Sequence, residues 1–280
     1  MNLIPRLPLA EGIDLFVDWL KSIDGLFDVP KDTIAFMVSN LSDGLALIPE
    51  FIFIILITAL AFFATKKKIG LPVFVFFGLF LIQNLGYWGD MLLTLSLVLT
   101  SAFISIVVGI PIGILMARNK TTENIVIPIL DFMQTMPAFV YLIPAVVFFG
   151  IGMVPGVIAS VIFAMPPTVR LTNLGIRQVS TELIEAADAF GSTPMQKLLK
   201  VQLPMAKKTI MAGVNQSIML ALSMVVIASM IGASGLGTKV YYAVGRNDAG
   251  GGFEAGIALV IVAIILDRLT QSFNRQKGEA

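Results

Sequence analysis

The chain has 280 residues, of which 57% are hydrophobic and 13% are charged, a balance outside that of a soluble globular domain. Cysteine and histidine are both absent, which excludes disulfides, thiolate and imidazole catalysis, and zinc or haem sites with Cys or His ligands. The net charge of +1 gives no overall field that would attract nucleic acid or an acidic substrate, so only the placement of charge is informative.

The N-terminal segment, residues 1–47, is predicted to be an extracytoplasmic amphipathic stretch. Apolar side chains recur at helical spacing from Ile13 to Phe27, with Asp14, Asp18 and Lys21 on the other face. Two interpretations stay open for this helix. It lies on the outer membrane surface, or it packs on its own bundle or on a partner, because its polar face is acidic and surface-bound helices carry basic ones.

Apolar runs long enough for a hydrocarbon core of about 30 Å follow this segment. The sequence predicts an all-α integral membrane protein with about seven transmembrane helices within residues 48–270, followed by a cytoplasmic tail over 271–280. The predicted spans cover residues 48–65, 69–87, 91–117, 125–149, 153–169, 209–232 and 253–270.

Lysine and arginine near the ends of the spans predict the orientation, since these residues concentrate on the cytoplasmic side. If the spans alternate, 14 of the 19 basic residues fall on one side, which places the N-terminus outside and the C-terminus inside. These 14 are Lys66, Lys67, Lys68, Arg118, Lys120, Arg170, Arg177, Lys197, Lys200, Lys207, Lys208, Arg268, Arg275 and Lys277. The other side receives Arg6, Lys21, Lys31, Lys239 and Arg246.

The spans contain no chain of carboxylates that would indicate a proton relay, because Asp90, Asp131, Glu254 and Asp267 lie near predicted ends. Energy for uphill transport is therefore expected from a partner subunit. Prolines are dense in the third to fifth spans, and each one kinks or ends a helix. We expect the fourth and fifth spans to line the pathway, and Pro128, Pro155 and Pro166 to mark helix ends. Gly109 and Gly113 form a GxxxG that is read as helix packing.

A long polar stretch, residues 170–208, separates the fifth and sixth spans and is predicted to be a cytoplasmic helix, turn and helix. Ser180 or Thr181 can cap the first helix, Gly191 interrupts it, and Pro194 permits a restart at the first position of the second. Loops of this size between spans are usually functional. The later segment from Gly232 to Lys239 lacks the G-K-[ST] order of a phosphate loop, so no ATP site is expected on this chain.

The polar stretch reads Glu185-Ala-Ala-Asp-Ala-Phe-Gly191, then nine residues, then Val201-Gln-Leu-Pro204. This resembles the EAA loop of the permease subunits of ABC importers, with Val201 in place of the usual isoleucine. The resemblance implies a type I ABC importer permease fold and a loop that docks on the ATPase subunit. The residues that carry this coupling are then Glu185, Ala186, Ala187, Gly191, Val201, Leu203 and Pro204.

Two further stretches, Asp131 to Pro144 and Pro166 to Val179, resemble the glycine betaine/proline betaine permeases of the ProW/OpuAB type. The resemblance implies a non-catalytic permease that imports glycine betaine for osmoprotection in the plasma membrane of a prokaryote. Aromatic faces suit a quaternary ammonium group, and the candidate aromatic residues on the fourth span are Phe132, Phe139, Tyr141, Phe148 and Phe149. The candidate pathway residues are Gln134, Pro137, Phe139, Tyr141 and Pro144.

The resemblance also implies the partners: a second copy of this permease, two copies of an ABC ATPase subunit, and a separate extracytoplasmic substrate-binding protein. ATP and Mg²⁺ are expected on the ATPase, and no cofactor on this chain. Three alternatives stay open. The substrate is another quaternary amine, such as choline, carnitine or proline betaine; the chain is a stand-alone channel or an ion-coupled carrier; or it is an intramembrane enzyme, the weakest of the three without histidine, cysteine or a carboxylate pair.

Overall fold

A computed structural model describes residues 8–23, 25–65 and 68–275, and within these ranges all regular structure is helical. Four of the basic residues used to predict the orientation, Arg6, Lys66, Lys67 and Lys277, lie outside the described residues. The α-helices are α1 Leu9–Lys21, α2 Asp28–Ala46, α3 Glu50–Ala64, α4 Gly70–Asn84, α5 Trp88–Arg118, α6 Lys120–Thr135, α7 Leu142–Phe149, α8 Met153–Arg177, α9 Thr181–Ala189, α10 Pro194–Lys197, α11 Leu203–Ser229, α12 Leu236–Gly245 and α13 Ala249–Arg275.

All seven predicted spans are helical, but they differ in length. Four helices are long and apolar enough to cross a membrane: α5, α8, the continuous stretch Pro194–Ser229, and Ala249–Ser272 in α13. The number rises to 6 if each sharply bent pair counts as one span, namely α2 with α3, bent by 99°, and Lys120–Thr135 with Ala138–Phe149, bent by 107°. Helix α4 has 15 residues, about 22 Å at 1.5 Å per residue. It is thus shorter than the four long helices, and its crossing of the membrane stays a prediction.

The prolines act differently from what the sequence predicts. Pro128 and Pro166 lie inside α6 and α8, which continue past them, and Pro155 lies in the first turn of α8, which it does not end. The expectation that these three prolines mark helix ends is wrong for Pro128 and Pro166. In a membrane bundle a helix can continue past a proline where its surroundings satisfy the freed carbonyl group. Pro137, by contrast, stands at the break after α6, where the chain turns into a 3₁₀ turn, Ala138–Tyr141, and then into α7.

The centre of the molecule is formed by α5, α8 and α11, which pack closely through small residues. A Cβ atom built on Gly113 of α5 would lie 2.6 Å from the Thr172 Cβ and 2.7 Å from the Val169 carbonyl oxygen of α8. Between α8 and α11, the Ser217 hydroxyl donates to the Ala164 carbonyl at 2.5 Å and pairs with the Thr168 hydroxyl at 2.7 Å. The GxxxG of α5 is therefore a packing element, as predicted, and its partner is α8.

The N-terminal segment forms two helices rather than one. Helix α1 buries no residue, whereas α2 buries Ile34 and Val38 in the main apolar core. Phe27 stacks on Phe148 of α7, with ring centroids 4.5 Å apart. Packing on the chain's own bundle thus holds for Phe27 and α2.

The polar stretch 170–208 is more helical than its prediction as a loop suggests. Helix α8 continues to Arg177, eight residues past the predicted end of the fifth span at residue 169. The second helix of the predicted pair is not separate either, because α10 continues through a π-helical turn, Leu198–Gln202, into α11. The polar connection itself is thereby reduced to α9 and the two turns that flank it, and the hairpin is rigidly joined to two long helices.

Candidate coupling surface and translocation path

Helix α9 and α10 form a hairpin beyond the end of α8, and Gly191 makes the turn between them. The Ser192 N–H donates to the Ala187 carbonyl at 3.0 Å and the Gly191 N–H to the Asp188 carbonyl at 2.9 Å, the two hydrogen bonds of a Schellman motif. Gly191 has a φ of +72°, and no atom lies within 4 Å of a Cβ built on it. The glycine is thus required by backbone conformation and not by a close contact inside this chain.

Side-chain contacts hold the two arms of the hairpin together. The Lys197 ammonium group contacts both carboxylate oxygens of Asp188, at 2.7 and 2.8 Å. Thr193 and Gln196 form a capping box at the start of α10, where Pro194 occupies the first turn as predicted. Ser180 precedes α9 at the N-cap position but makes no side-chain capping hydrogen bond.

The predicted coupling residues fall into an exposed set and a packed set. Glu185 and Ala186 are exposed on α9, while Ala187 is buried. At the other end of the motif, Leu203 packs with Leu198 on a small cluster that includes Ile176 near the end of α8. This cluster fixes the hairpin to α8.

The π-helical turn overlaps the Val201-x-Leu203-Pro204 part of the motif at Val201 and Gln202. Pro204 has no N–H and its ring would crowd the carbonyl of the residue four positions earlier, Lys200, in a regular α-helix. The wider π turn over Leu198–Gln202 directly before it relieves this crowding. Val201 is half-buried within that turn.

The hairpin also presents exposed apolar side chains that were not among the predicted coupling residues. Phe190, directly before Gly191, is 91% exposed. Leu183, Met195 and Leu199 are exposed as well. The sequence contains a signal for this surface. Phe190 lies in the connecting part of the motif, where a hairpin surrounded only by water would carry a polar residue. A polar segment that exposes large apolar side chains is typical of a protein-docking surface.

The break between α6 and α7 is held by a side chain that replaces a lost backbone hydrogen bond. In a continuous helix the Met133 carbonyl would accept the N–H of residue 137, but Pro137 has none. The Tyr141 hydroxyl donates to the Met133 carbonyl instead. The Tyr141 ring is buried in a cluster with Leu142 and Met224. Tyr141, predicted to line the pathway, thus stabilises the break.

The other predicted pathway residues are not covered by the rest of the chain, and this exposed surface around the break is named the open side. Gln134, Pro137, Phe139 and Pro144 are all exposed. Of the remaining aromatic candidates, Phe132 is exposed, whereas Phe148 and Phe149 pack against Phe27.

Next to this open side, Asp131 of α6 pairs with Arg170 of α8, and the two side chains are 56% and 36% exposed. A charge pair on a lipid-facing surface is costly. The pair indicates that this face meets water or another protein.

Glu123 lies between the third and fourth predicted spans and carried no predicted role, yet its side chain is buried in the structure. Its carboxylate lies 2.8 Å from the Arg177 guanidinium group and 2.7 Å from the Lys120 ammonium group. The Asn173 amide is 3.4 Å away. A matching spacing was available in the sequence: Glu123 and Asp131 are separated by about two helical turns, as are Arg170 and Arg177.

Comparison with known proteins places these features in a family. Residues 109–278 match the family described as the inner membrane component of binding-protein-dependent transport systems. The chain is 66% identical over 275 residues to the glycine betaine/carnitine transport permease protein GbuB of Listeria monocytogenes serotype 1/2a (strain 10403S), and the aligned residues cover 98% of each chain. It is 58% identical over 278 residues to the glycine betaine transport system permease protein OpuAB of Bacillus subtilis (strain 168), covering 99% of this chain and 98% of that protein.

Solved structures with the same fold come from ABC transporters. One is the inward-facing MetNI methionine ABC transporter, with 24% identity and a TM-score of 0.60 over 65% of this chain and 92% of that one. Another is an amino acid ABC transporter, with 21% identity and a TM-score of 0.57 over 71% of this chain and 97% of that one. At these identities the likeness establishes the fold alone, which is that of ABC importer membrane subunits, as predicted.

Proposed function

This multi-pass membrane chain belongs to the family of binding-protein-dependent transport system inner membrane components, and we propose from this premise that it is the glycine betaine permease of an ABC importer. The observation that carries the substrate is the 66% identity, over 98% of the chain, to a permease named for glycine betaine and carnitine. The chain would act in the plasma membrane of a prokaryote and provide the path for the solute, without catalysing a reaction itself.

The exposed hairpin supports the proposed docking of an ABC ATPase. The Phe190 side chain lies at the turn of the hairpin, and Leu183 and Met195 add apolar surface on its two arms. An exposed apolar cluster on a short, cross-braced element suits insertion into a groove of a partner. ATP and Mg²⁺ would then be bound by the ATPase, and each permease copy would hold one ATPase subunit.

The open side beside the helix break supports a path shared by two copies. The Asp131–Arg170 pair and the exposed Gln134 lie on one side of α6 and α8, where a single chain offers no cover. A second copy facing this side would enclose a polar cavity between the two broken helices. A separate extracytoplasmic binding protein would deliver the substrate to that cavity.

Carnitine is the second candidate substrate, because the name of the relative with 66% identity includes it. A permease named for choline is only 29% identical over 175 residues. We expect glycine betaine and carnitine to compete for uptake, and choline to compete weakly.

Uptake by the complete complex in proteoliposomes tests this proposal. Labelled glycine betaine should accumulate only when the ATPase, the binding protein and internal ATP are all present. Accumulation that persists without ATP, and that is lost when an ion gradient across the membrane is dissipated, would instead identify an ion-coupled carrier. Absence of betaine uptake by a complex that imports another quaternary amine would overturn the substrate assignment.

The docking surface has its own test. Phe190→Ser should lower the amount of ATPase that purifies with the permease, because it removes the most exposed apolar group of the hairpin. Leu47→Ser is the matched control, since Leu47 is 84% exposed but lies between α2 and α3. Equal ATPase retention in both variants would contradict docking at the hairpin.

A further inference from the structure

Glu123 is a buried carboxylate that connects three helices. It lies on α6 and is 7% exposed. The Arg177 guanidinium group, at the end of α8, contacts this carboxylate at 2.8 Å, and also donates to the Met116 carbonyl of α5 and to the Asn173 side-chain oxygen, both at 3.0 Å. The name inner clamp is used here for Glu123, Asn173, Arg177 and the Met116 carbonyl.

Lys120 contacts the same carboxylate but does not belong to the inner clamp. Its side chain is 73% exposed, and it lies on α6 together with Glu123. The Lys120–Glu123 pair therefore joins no helix to another. Ion pairs between exposed groups contribute little because water competes for both partners, whereas a buried carboxylate depends on the groups that replace its hydration.

A second contact joins the same two helices about two helical turns away, on the side of the break at Pro137. Asp131 of α6 pairs with Arg170 of α8, so the chain order of the acidic residues on α6 is the reverse of that of the arginines on α8. An apolar cluster of Met116, Leu130 and Val169 packs between the three helices. The buried Glu123–Arg177 pair and this apolar cluster hold α6 and the C-terminal half of α8 together as one body, to which the exposed Asp131–Arg170 pair adds little.

The position of this body links the hairpin to the broken helix. Arg177 ends α8 and the hairpin helix α9 begins at Thr181, while Leu203 of α11 packs on the cluster around Ile176. At its other end, α6 leads directly into the break at Pro137. A displacement of the hairpin by a partner therefore reaches both the end of α8 and α11, and the inner clamp joins the end of α8 to α6.

We infer that Glu123 is a positioning residue for transport: through Arg177 and Asn173 it makes α6 move with the end of α8, and so carries the motion of the hairpin to the helix break. This inference rests on the proposed function, because it assumes that an ATPase moves the hairpin. It adds a specific route by which that motion reaches the pathway. Coupling of this kind depends on contacts that stay intact while the joined elements move.

The first test compares Glu123→Gln, Glu123→Asp and Lys120→Gln in the complete complex. Glu123→Gln keeps the shape but removes the charge, so substrate transported per ATP hydrolysed should fall about tenfold while the ATPase still purifies with the permease. Glu123→Asp should recover part of the loss because it restores the charge. Lys120→Gln, which removes only the exposed contact, should leave the transport ratio unchanged.

Two results would overturn the inference. One is a normal transport ratio in Glu123→Gln with normal assembly. The other is an equal loss in Glu123→Gln and Lys120→Gln, which would identify a general effect of charge at this membrane surface. If the wild-type complex does not import betaine, the proposed function fails. If the wild-type complex imports betaine normally and the Glu123→Gln complex transports equally well, only the role of Glu123 fails.

A second test remains informative if Glu123 variants do not assemble. The chain has no cysteine, so Asp131→Cys with Arg170→Cys can be joined selectively by a short bifunctional thiol reagent. If α6 and α8 move as one body, the cross-linked complex should transport at least as well as the same double variant before cross-linking. Transport that is lost on cross-linking and recovers on cleavage of the linker would show that the two helices must separate, and would refute the inference.

Discussion

At the scale of single residues, the motif alone gives two possible reasons for the glycine at position 191, and the structure supports one of them. The sequence allows either a left-handed backbone conformation or a close approach as the reason for this glycine. The observed φ of +72° and the Schellman hydrogen bonds require the conformation, and the open space around the Cβ position excludes a close approach within this chain.

This distinction predicts different effects for two substitutions of similar size. Gly191→Val should reduce ATP-driven uptake and ATPase retention, because a β-branched residue in the left-handed region costs about 1–2 kcal/mol and distorts the turn. Gly191→Asn should retain most of both, since asparagine tolerates this region. The measurement is uptake per complex and ATPase yield on purification. Equal loss in the two variants would indicate that the partner requires the absence of any side chain.

Tyr141 is the second residue whose role depends on its contact. Tyr141→Phe keeps the buried ring but leaves the Met133 carbonyl without the hydroxyl donor, because Pro137 cannot supply an N–H. We expect a loss of about 1–3 kcal/mol in stability, seen as a lower Tm of the purified permease. Tyr241→Phe is the control, since the Tyr241 hydroxyl makes no hydrogen bond within the part of the chain that the structure describes. An unchanged Tm in Tyr141→Phe would show that water satisfies the carbonyl.

At the scale of helices, the close contacts of α5, α8 and α11 depend on residues without bulk at the crossing points. In a lipid environment helix association relies on packing and on interhelical hydrogen bonds, because burial of apolar surface gives little gain there. The contact of Gly113 with Thr172 and the Ser217–Thr168 hydroxyl pair supply one example of each.

Gly113→Leu should therefore destabilise the bundle. Its Cβ would already lie 2.6 Å from the Thr172 Cβ, and overpacking of this kind costs about 1–3 kcal/mol. Gly44→Leu, in α2 with nothing within 4 Å of the added Cβ, is the control and should be tolerated. The Tm of each purified variant and its yield in the membrane provide the measurement. A normal Tm for Gly113→Leu would mean that α5 and α8 can separate at little cost.

At the scale of the whole molecule, the orientation of the chain is still a prediction from the distribution of lysine and arginine. Single cysteines introduced into the cysteine-free chain test it directly. In intact cells a membrane-impermeant thiol reagent should label Asp28→Cys and Asp248→Cys, and should label Asn119→Cys only after the membrane is opened. All three positions are exposed. Labelling of Asn119→Cys from outside would reverse the topology.

Much of the architecture follows from local features of the sequence. The apolar runs, the hairpin turn at Gly191 and the helix start at Pro194 depend on composition, spacing and backbone preference within a few residues, and the structure confirms them. Helix continuation past Pro128 and Pro166 was not predictable in this way. Whether a proline ends a helix depends on neighbouring helices that satisfy the freed carbonyl groups, and a local pattern contains no information about them.

The sequence by itself determined that this chain spans a membrane and carries a hairpin of the EAA type, because hydropathy and short motifs are properties of contiguous residues. Only the tertiary structure decided which side chains work together. Glu123 and Arg177 are 54 residues apart in the numbering, and their contact exists because α6 and α8 pack side by side. The support that Tyr141 gives to the helix break depends on the tertiary structure for the same reason: a hydrogen bond depends on distance and direction in space, which the order of residues along the chain does not specify.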